Sequence, residues 1–428
     1  MQPHHQRRLR KIVAPDDPRV ARLAHMADDE IIVRRLVDAD IDAMVRNDLR
    51  AFGVASRPAG IDRRVRDHLE LDRFVVAEHR GRIVGNAGAY SFELTLPGGA
   101  TVPVCGVTWV AVAPTHRRRG VMRSLLAAVH LDAAARGEVA SILWASEGAI
   151  YQNVGYGPLH TQPVVSLERD AVRWRSDVPS GGSVHFAEPG EARDLLPQIW
   201  ERVRRLRAGG LRRSDHWWGN NLSRVENEVE GEPTRSTLIH VDEDDRPDGY
   251  AVFTSDGKWD DDLIGNVVTV ELFAAETNVA RADLWRVLTS LDLMRRIETD
   301  LIAPDDPLRW WLVDGRAIAT TAQMEGVWLR VLDVGGLFGA RTYVADDTIV
   351  VDAGELERWS IGSGGCRPSD APADIELSPA MLGAVSLGGT SAAMLARAGR
   401  IRELTAGAAR RLDSMLVVDP LPFFDTFF

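Results

Sequence analysis

The feature that most constrains the fold of this chain is an apolar strand pattern that runs into a basic turn and then into an amphipathic helix. Residues 107–112 form the apolar run, and Pro114 interrupts it because proline supplies no backbone N–H to a strand ladder. After the turn, apolar residues recur with helical spacing up to Gly137, a residue that favours a helix end. The pattern therefore predicts a strand, a short loop and a helix in direct succession.

The loop of this unit carries three consecutive arginines, Arg117–Arg119, followed by Gly120. At a helix start, free backbone N–H groups and the positive helix end attract an anion. Gly120 permits a close approach of the backbone, and guanidinium groups pair with phosphate oxygens. The loop is therefore typical of a site for a phosphorylated ligand. Taken alone, the same run is also compatible with a solvated helix start.

The spacing of this loop resembles the R/Q-x-x-G-x-G/A sequence of GNAT-type N-acetyltransferases, which holds the pyrophosphate of acetyl-CoA. Here residues 117–122 read RRRGVM, and Met122 stands where the short pattern has a small residue. The resemblance implies that the strand before the loop is the central, cofactor-bearing strand of a mixed sheet.

Length and composition limit the classes of protein that this chain can belong to. At 428 residues it is long enough for two or three domains, because single cores rarely exceed about 250–300 residues. A formal net charge of -11 argues against a general nucleic-acid-binding protein and is compatible with a cationic partner. Cys105 and Cys366 provide no disulfide framework, and the histidines show no ligand spacing, so we expect no metal.

The N-terminal segment is basic and lacks the apolar centre of a signal peptide. No apolar run approaches the length of a membrane span. We interpret residues 1–29 as a flexible tail, and we expect a cytoplasmic protein without a membrane span.

Three domains are predicted after this tail. Residues 30–168 follow the order strand, helix, three strands, helix, strand, which is the order expected of a GNAT fold. Residues 169–305 echo this layout, but their turn Ala274–Thr277 has neither an arginine nor a glycine, so we expect a second such fold without cofactor. Residues 306–428 form a third α/β unit with an aromatic end that we expect to be packed against the protein, since free termini are usually polar and frayed.

Tyr151 and Tyr156 lie among glycines directly after the strand that would neighbour the cofactor strand. This position would return Tyr151 to the thiol end of a bound cofactor. The same Y-x-x-x-G-Y-G segment is also compatible with a tight turn that contains an aromatic plug.

Together with the RRRG loop and the aromatic C-terminus, the segment SEGAIY-x-x-x-GYG resembles the Eis (enhanced intracellular survival) family of N-acetyltransferases. The resemblance covers nearly the whole chain from about residue 30. It implies α/β mixed sheets, with two tandem GNAT folds followed by a sterol-carrier-like domain, and a homohexamer. It also implies acetyl-CoA as co-substrate and acetylation of amines on a small polycationic acceptor such as an aminoglycoside.

The resemblance also implies roles for single residues. Tyr151 matches the general acid, and the terminal carboxylate of Phe428 matches the general base. The residues that would bind acetyl-CoA are Val110, Ala111 and Val112 at the pantetheine, Arg118, Arg119, Gly120, Val121, Met122 and Arg123 at the pyrophosphate, and Ser146 and Glu147 on the neighbouring strand.

Two positions depart from the family's pattern and bear on the acceptor. Phe427 and Ala51 stand where antibiotic-acetylating members carry acidic residues, and fewer carboxylates would weaken the hold on a polycation. Trp109 is compatible either with a pocket wall that stacks on a cation or with a core position. Acetylation of lysines or N-termini on proteins therefore stays an alternative, as does a non-catalytic acyl-CoA- or lipid-binding assembly protein.

Overall fold

The computed structural model describes most of the chain, and the predicted N-terminal tail lies outside the described residues. The described residues are 30–54, 65–66, 69–226, 235–255 and 266–428. The chain forms two compact units. Of the described residues, those from 30 to 91, those from 104 to 143 and Phe428 belong to the first unit, and those within 92–103 and 144–427 belong to the second.

The first unit contains two helices and the greater part of five neighbouring strands. The strands are β1 (Ile32–Arg35), β2 (Val75–His79), β3 (Arg82–Thr95), β4 (Thr101–Val112) and β5 (Ala140–Trp144), and the helices are α1 (Ile41–Ala51) and α2 (Val121–Ala135). The strands neighbour one another in the order β1-β2-β3-β4-β5, of which β1 to β3 pair antiparallel and β4 and β5 pair parallel. A parallel pair requires a crossover, and α2 supplies it. The element order is the one predicted from the sequence.

Apolar residues at helical spacing fix α1 and α2 on this sheet. Ile41, Met44 and Val45 lie on one face of α1 and pack with Phe74 and Val76 in one buried cluster. On α2, the buried residues recur at the same spacing, and the helix ends just before Gly137, whose φ is +76°. The helix end expected at Gly137 is therefore confirmed.

The second unit contains a complete seven-stranded sheet with helices on either side of its strands. Its first elements are α3 (Gly148–Gln152), β6 (Gly157–Pro158), β7 (Thr161–Glu168), β8 (Ser183–Phe186), α4 (Pro189–Val203), α5 (Asp215–Glu226), β9 (Arg235–Val241), β10 (Pro247–Ser255), β11 (Asn266–Ala275), α6 (Asn278–Ser290), β12 (Met294–Thr299), α7 (Leu308–Trp311) and β13 (Ile318–Glu325). The strand order in this sheet is β13-β7-β12-β11-β10-β9-β8.

Within this sheet, β11, α6 and β12 repeat the arrangement of β4, α2 and β5. β11 and β12 pair parallel, with Val268 opposite Ile297, and α6 crosses between them. This repeated strand-helix-strand arrangement is the one that the sequence predicts for the second fold.

The two helix starts differ in how their backbone N–H groups are satisfied. The Thr277 hydroxyl accepts a hydrogen bond from the Ala280 N–H at 3.0 Å and caps α6. The preceding residue, Glu276, lies 2.5 Å from the guanidinium groups of both Arg202 and Arg246. At this turn the protein's own carboxylate and hydroxyl therefore take the contacts that an anion would need.

Consecutive strands enter different sheets at β6 and β7, and again where β13 is followed by the next strand, β14 (Val327–Val331). β6 pairs with β14, whereas β7, which starts three residues after β6, pairs with β13 of the sheet that runs from β13 to β8. β7 comes from the domain predicted at 30–168, and β13 comes from the domain predicted at 306–428. The domain bounds themselves remain a prediction.

A third sheet completes the second unit. Its elements are α8 (Val334–Ala340), β15 (Thr348–Asp352), β16 (Arg358–Gly362), β17 (Gly365–Pro368), β18 (Ile375–Leu377), α9 (Pro379–Val385), α10 (Ala392–Arg397), β19 (Ile401–Glu403) and α11 (Ala408–Leu416). The strand order is β17-β16-β15-β18-β19. Close backbone contact joins α9 to β6, since a Cβ at Gly157 would lie 1.9 Å from the Ala380 carbonyl oxygen.

A buried ion pair in the first unit provides a test of this packing. The Arg73 guanidinium donates to both carboxylate oxygens of Glu138 at 2.7 and 2.5 Å, and both side chains are at most 5% exposed. Glu138→Gln should lower the free energy of unfolding by about 3–5 kcal/mol, because it removes the closest counter-charge of a buried guanidinium and leaves only Asp132, at 3.9 Å. Urea unfolding followed by tryptophan fluorescence measures this loss.

The matched control removes an arginine from a solvent-exposed pair. Arg136 bonds Asp72 and Asp132 at 2.8 and 2.7 Å and is 35% exposed. Arg136→Gln should therefore cost at most about 1 kcal/mol. Equal losses in the two variants would contradict the assignment of Arg73 and Glu138 to the core.

Candidate active site

The loop between β4 and α2 has a backbone shaped for an anion. Pro114–His116 form one turn of 3-10 helix, after which Arg118 and Gly120 adopt left-handed φ angles of +62° and +79°. Left-handed residues in a loop turn neighbouring N–H groups to one side, and such concavities bind anions. No side chain caps the start of α2, in contrast to α6. The first N–H groups of α2 are therefore available to a ligand.

The arginines of this loop are exposed, and their charges are not neutralised by neighbours. Among the described residues, no carboxylate forms an ion pair with Arg118, Arg119 or Arg123. At the other end of α2, by contrast, Arg136 pairs with two aspartates. A left-handed Arg118 costs of order 1–3 kcal/mol, a strain that recurs at functional sites. The loop thus combines exposed cations, free N–H groups and strained backbone.

The end of β4 is distorted one residue before the segment expected to bind pantetheine. Trp109 has a left-handed φ of +53°, which is unusual for a non-glycine residue inside a strand. Its carbonyl oxygen accepts a hydrogen bond from Asn86 Nδ2 at 2.6 Å. Ala111 is buried, whereas Val110 and Val112 are partly exposed on either side of it. The Trp109 side chain packs at the edge of the α1 core cluster and is partly buried.

A carboxylate that the sequence reasoning missed lies beside this distortion. Asp48 on α1 accepts a hydrogen bond from Asn86 Nδ2 at 3.5 Å, and Asn47 Nδ2 donates to Asn86 Oδ1 at 2.7 Å. Burial raises the pKa of the Asp48 carboxyl to about 6, and the hydrogen bond from Asn86 opposes this shift. No cation of the described residues forms an ion pair with Asp48. In the sequence, the only indication of this polar cluster is that Asn47 and Asp48 are adjacent on a predicted helix.

Tyr151 lies on the short helix α3 in the second unit. Its side chain is 6% exposed and meets Tyr156 edge to face, with ring centroids 6.0 Å apart. Burial raises the pKa of the Tyr151 hydroxyl above its usual range, a hydrogen bond with Ser146 opposes the shift, and the Glu147 charge adds to it. Tyr151 is therefore protonated at neutral pH. Ser146 and Glu147 are exposed just before α3. They lie beyond the end of β5 at Trp144, whereas the sequence-based expectation placed them on that strand.

The last residues are fixed by hydrogen bonds from two tryptophans of the second unit. Trp144 Nε1 donates to the Thr426 carbonyl at 3.1 Å, and Trp217 Nε1 donates to the Phe427 carbonyl at 2.9 Å. Phe424 is fully buried, while the Phe427 side chain is 72% exposed. The expected packing of the aromatic end is therefore confirmed for Phe424, and the Phe427 side chain departs from it.

The predicted site residues divide between the two compact units. Val110–Val112, the loop residues 118–123 and Phe428 belong to the first unit. Ser146, Glu147 and Tyr151 belong to the second unit.

Family models match three successive segments of the chain. Two models described as acetyltransferase (GNAT) domains match residues 32–159 and 209–331, and a sterol carrier protein domain matches residues 344–425. The predicted fold class of two GNAT folds followed by a sterol-carrier-like domain is therefore confirmed.

Similar proteins identify the family. The N-acetyltransferase Eis of Mycobacterium tuberculosis (strain ATCC 25177 / H37Ra) is 36% identical over 348 residues, which are 79% of this chain and 84% of that relative. The chain belongs to the Eis family of N-acetyltransferases. An uncharacterized N-acetyltransferase of Streptomyces avermitilis is 31% identical over 414 residues, which are 92% of this chain and 98% of the relative. The crystal structure of Eis1 from Mycobacterium abscessus superposes with a TM-score of 0.81 at 28% identity, over 93% of this chain and 100% of that one.

Membership of the Eis family makes the chain an N-acetyltransferase, and acetyltransferases of the GNAT type use acetyl-CoA. Within the described ranges, no three His, Cys, Asp or Glu side chains are grouped so that they could hold a metal ion. In the same part of the chain, every helix is too short or too polar to cross a membrane.

The buried carboxyl of Asp48 predicts a pH dependence of stability. Its pKa is about 6 in the folded chain and near 3.8 in the unfolded one, so between these values the folded state holds a proton that the unfolded state releases. Stability from this group is therefore lost as the pH rises through about 6. Asp48→Asn should be about 1–3 kcal/mol more stable than the parent at about pH 7.5, and the difference should disappear at about pH 4.

Urea unfolding at both pH values measures this difference. Asp42→Asn is the control, because Asp42 lies on the same helix and is 49% exposed. A gain for Asp48→Asn that is the same at both pH values would contradict the assigned shift.

Proposed function

We propose that this enzyme transfers the acetyl group of acetyl-CoA directly to an amine of a small polycationic acceptor such as an aminoglycoside. The observation that carries the proposal is the uncapped start of α2, with its left-handed Gly120 and its unneutralised arginines. A pyrophosphate fits this site by charge and by backbone geometry.

Three groups of residues bind acetyl-CoA in this proposal. The backbone of Val110–Val112 pairs with the pantetheine, and residues 118–123 surround the pyrophosphate. Ser146 and Glu147 contact the cofactor from the segment between β5 and α3. Family membership supports these roles, and the partly exposed strand end and the exposed loop agree with them.

A cationic acceptor is favoured by Asp48. Its carboxylate is held through Asn86, which also bonds the Trp109 carbonyl beside the proposed pantetheine strand. With a pKa of about 6, Asp48 is largely ionised at neutral pH. A partly buried carboxylate without a cationic partner among the described residues is suited to bind an ammonium group. Asp48 thus supplies part of the negative charge that acidic residues at the positions of Ala51 and Phe427 would provide.

The proposed chemistry needs one base and one acid. An alkylammonium has a pKa of about 10, so a base must remove a proton before the nitrogen attacks the thioester carbon. The terminal carboxylate of Phe428 takes this proton. As the C–N bond forms and the C–S bond breaks, Tyr151 donates its proton to the departing thiolate, and the second proton that the nitrogen loses on becoming an amide restores the Tyr151 hydroxyl. The raised pKa of Tyr151 keeps that proton in place until then.

Two wider properties belong to the same proposal. We propose a homohexamer, by resemblance to the Eis family. We also propose a cytoplasmic location, since acetyl-CoA would be the co-substrate.

Release of free thiol from acetyl-CoA tests the acceptor class. The protein with an unmodified C-terminus is assayed with an aminoglycoside, a linear polyamine and a lysine-containing peptide. Turnover should be highest with the aminoglycoside or the polyamine, because the acceptor must carry several ammonium groups. Turnover with the peptide alone would support the acetyl transfer reaction but would identify proteins, and not small polycations, as the substrate class. Absence of turnover with all three, despite acetyl-CoA binding, would contradict the proposed activity.

Two variants test the proposed acid and base. Tyr151→Phe should lower kcat by about 10²–10⁴-fold and leave acetyl-CoA affinity unchanged, since it removes only the proton donor. Extension of the C-terminus by two glycines moves the carboxylate by up to about 7 Å and should cause a loss of similar size. Tyr156→Phe is the control, because its ring packs against Tyr151. Full turnover by either variant would remove that group from the mechanism.

A further inference from the structure

A buried arginine of the second unit has no part in the proposed reaction, yet it contacts the last residues of the chain. Arg213 is 1% exposed. Its guanidinium carbon lies 3.7 Å from the ring centre of Trp200 and 4.2 Å from that of Trp217. Trp218 adds a third ring at 5.1 Å. Such rings attract a cation through their negative faces, and the rigid surround limits the motion of the guanidinium.

The polar contacts of Arg213 are directed mainly at the tail. Nε donates to the Thr426 hydroxyl at 3.0 Å, and Nη2 lies 3.2 Å from a carboxylate oxygen of Asp425. Nη2 also approaches the Asp425 carbonyl at 3.5 Å. The remaining contact, from Nη1 to the Tyr250 hydroxyl at 3.0 Å, ties the guanidinium to β10. Arg213 therefore links the rigid sheet to two consecutive tail residues.

The rings around Arg213 take part in the same link. Trp217 stacks on the guanidinium and donates its own Nε1–H to the Phe427 carbonyl at 2.9 Å. Trp144 donates to the Thr426 carbonyl at 3.1 Å. Asp425 and Thr426 are thus held by their side chains and carbonyls, and Phe427 by its carbonyl, where a chain terminus would ordinarily fray. The next peptide unit is that of Phe428.

We propose that Arg213 is a positioning residue, which holds the tail through Asp425 and Thr426 so that the terminal carboxylate of Phe428 stays within reach of the acceptor amine. This inference rests on the proposed role of that carboxylate as base. A base acts only within hydrogen-bond distance of the proton that it takes, and a displacement of about 1 Å can cost as much as about 10²-fold in rate. Arg213 does not itself touch the acceptor or the cofactor.

The contacts also explain why an arginine is needed. The guanidinium is a planar fork that bonds Asp425, Thr426 and Tyr250 at the same time and stacks on indole rings. A lysine ammonium keeps the charge but cannot supply this geometry. The conservative change Arg213→Lys therefore tests the geometry of the contacts alone, because the positive charge is retained.

The test compares two acceptors that differ in their need for a base. One is the best amine acceptor of the enzyme, which is protonated at about pH 7.5, and the other is an alkoxyamine, whose nitrogen is largely neutral there. Arg213→Lys and Asp425→Asn should each lower kcat for the protonated amine by about tenfold or more, and for the alkoxyamine by less than about twofold. Acetyl-CoA affinity should not change.

Arg281→Lys is the matched control within the same unit. Arg281 also combines a carboxylate partner, Asp306 at 2.8 Å, with a ring, Phe273 at 5.4 Å, but neither partner belongs to the tail. This variant should leave the ratio of the two acceptor rates unchanged. If Arg213→Lys does not fold, Asp425→Asn still allows the rates with the two acceptors to be compared, because it removes the partner of Arg213 in the tail.

A double-variant cycle distinguishes this inference from the proposed function. In the enzyme extended by two glycines, Arg213→Lys should cause no further loss, because the base that it positions is already displaced. An equal loss for both acceptors, or a full further loss in the extended enzyme, would assign Arg213 a structural role only. Unchanged turnover of the extended enzyme itself would overturn the terminal base, and with it the role of Arg213, before any Arg213 variant is made.

Discussion

The uncapped start of helix α2 is the feature on which the functional part of this structure depends. Left-handed Arg118 and Gly120 turn backbone N–H groups outward, and the exposed arginines have no carboxylate among the described residues. The mixed sheet presents this turn at the end of β4, and the parallel neighbour β5 requires α2 as its crossover. In the second fold, the corresponding helix start is satisfied by Thr277. The start of α2 is therefore open to an external anion, whereas the start of α6 is already capped.

The sequence predicted the order of elements because local patterns encode it. The apolar run at 107–112, the glycine at 120 and the helical spacing up to Gly137 each act within a few residues, and the helix and strand appear where these patterns place them. Tyr151 and the loop arginines were found through motifs of the same short range. Their assembly with a ligand stays a proposal, since motif spacing identifies residue types and not the distances between them.

Other features escaped prediction because they depend on residues far apart in the chain. Asp48 becomes notable only beside Asn86, 38 positions away, and Arg213 only beside Asp425 and Thr426, about 210 positions away. In a sequence, a single Asp on a helix or a single Arg in a basic run is ordinarily interpreted as a solvent-exposed surface residue. The aromatic C-terminus did indicate burial, but it gave no sign that an arginine and two indoles would hold the carbonyls and side chains of that segment.

The pairing of β7 has a consequence for biosynthesis. Both neighbours of this strand, β12 and β13, come from residues after Met294, whereas β7 ends at Glu168. At a translation rate of about 5–20 residues per second, β12 and β13 are synthesised on the order of ten seconds after β7, so both edges of β7 stay unpaired for that time. An unpaired strand edge over that interval is open to chaperones and to aggregation. A fragment cut at the end of the first matched domain, residue 159, would lack both β7 and the partner of β6, so production of the protein favours the full-length chain.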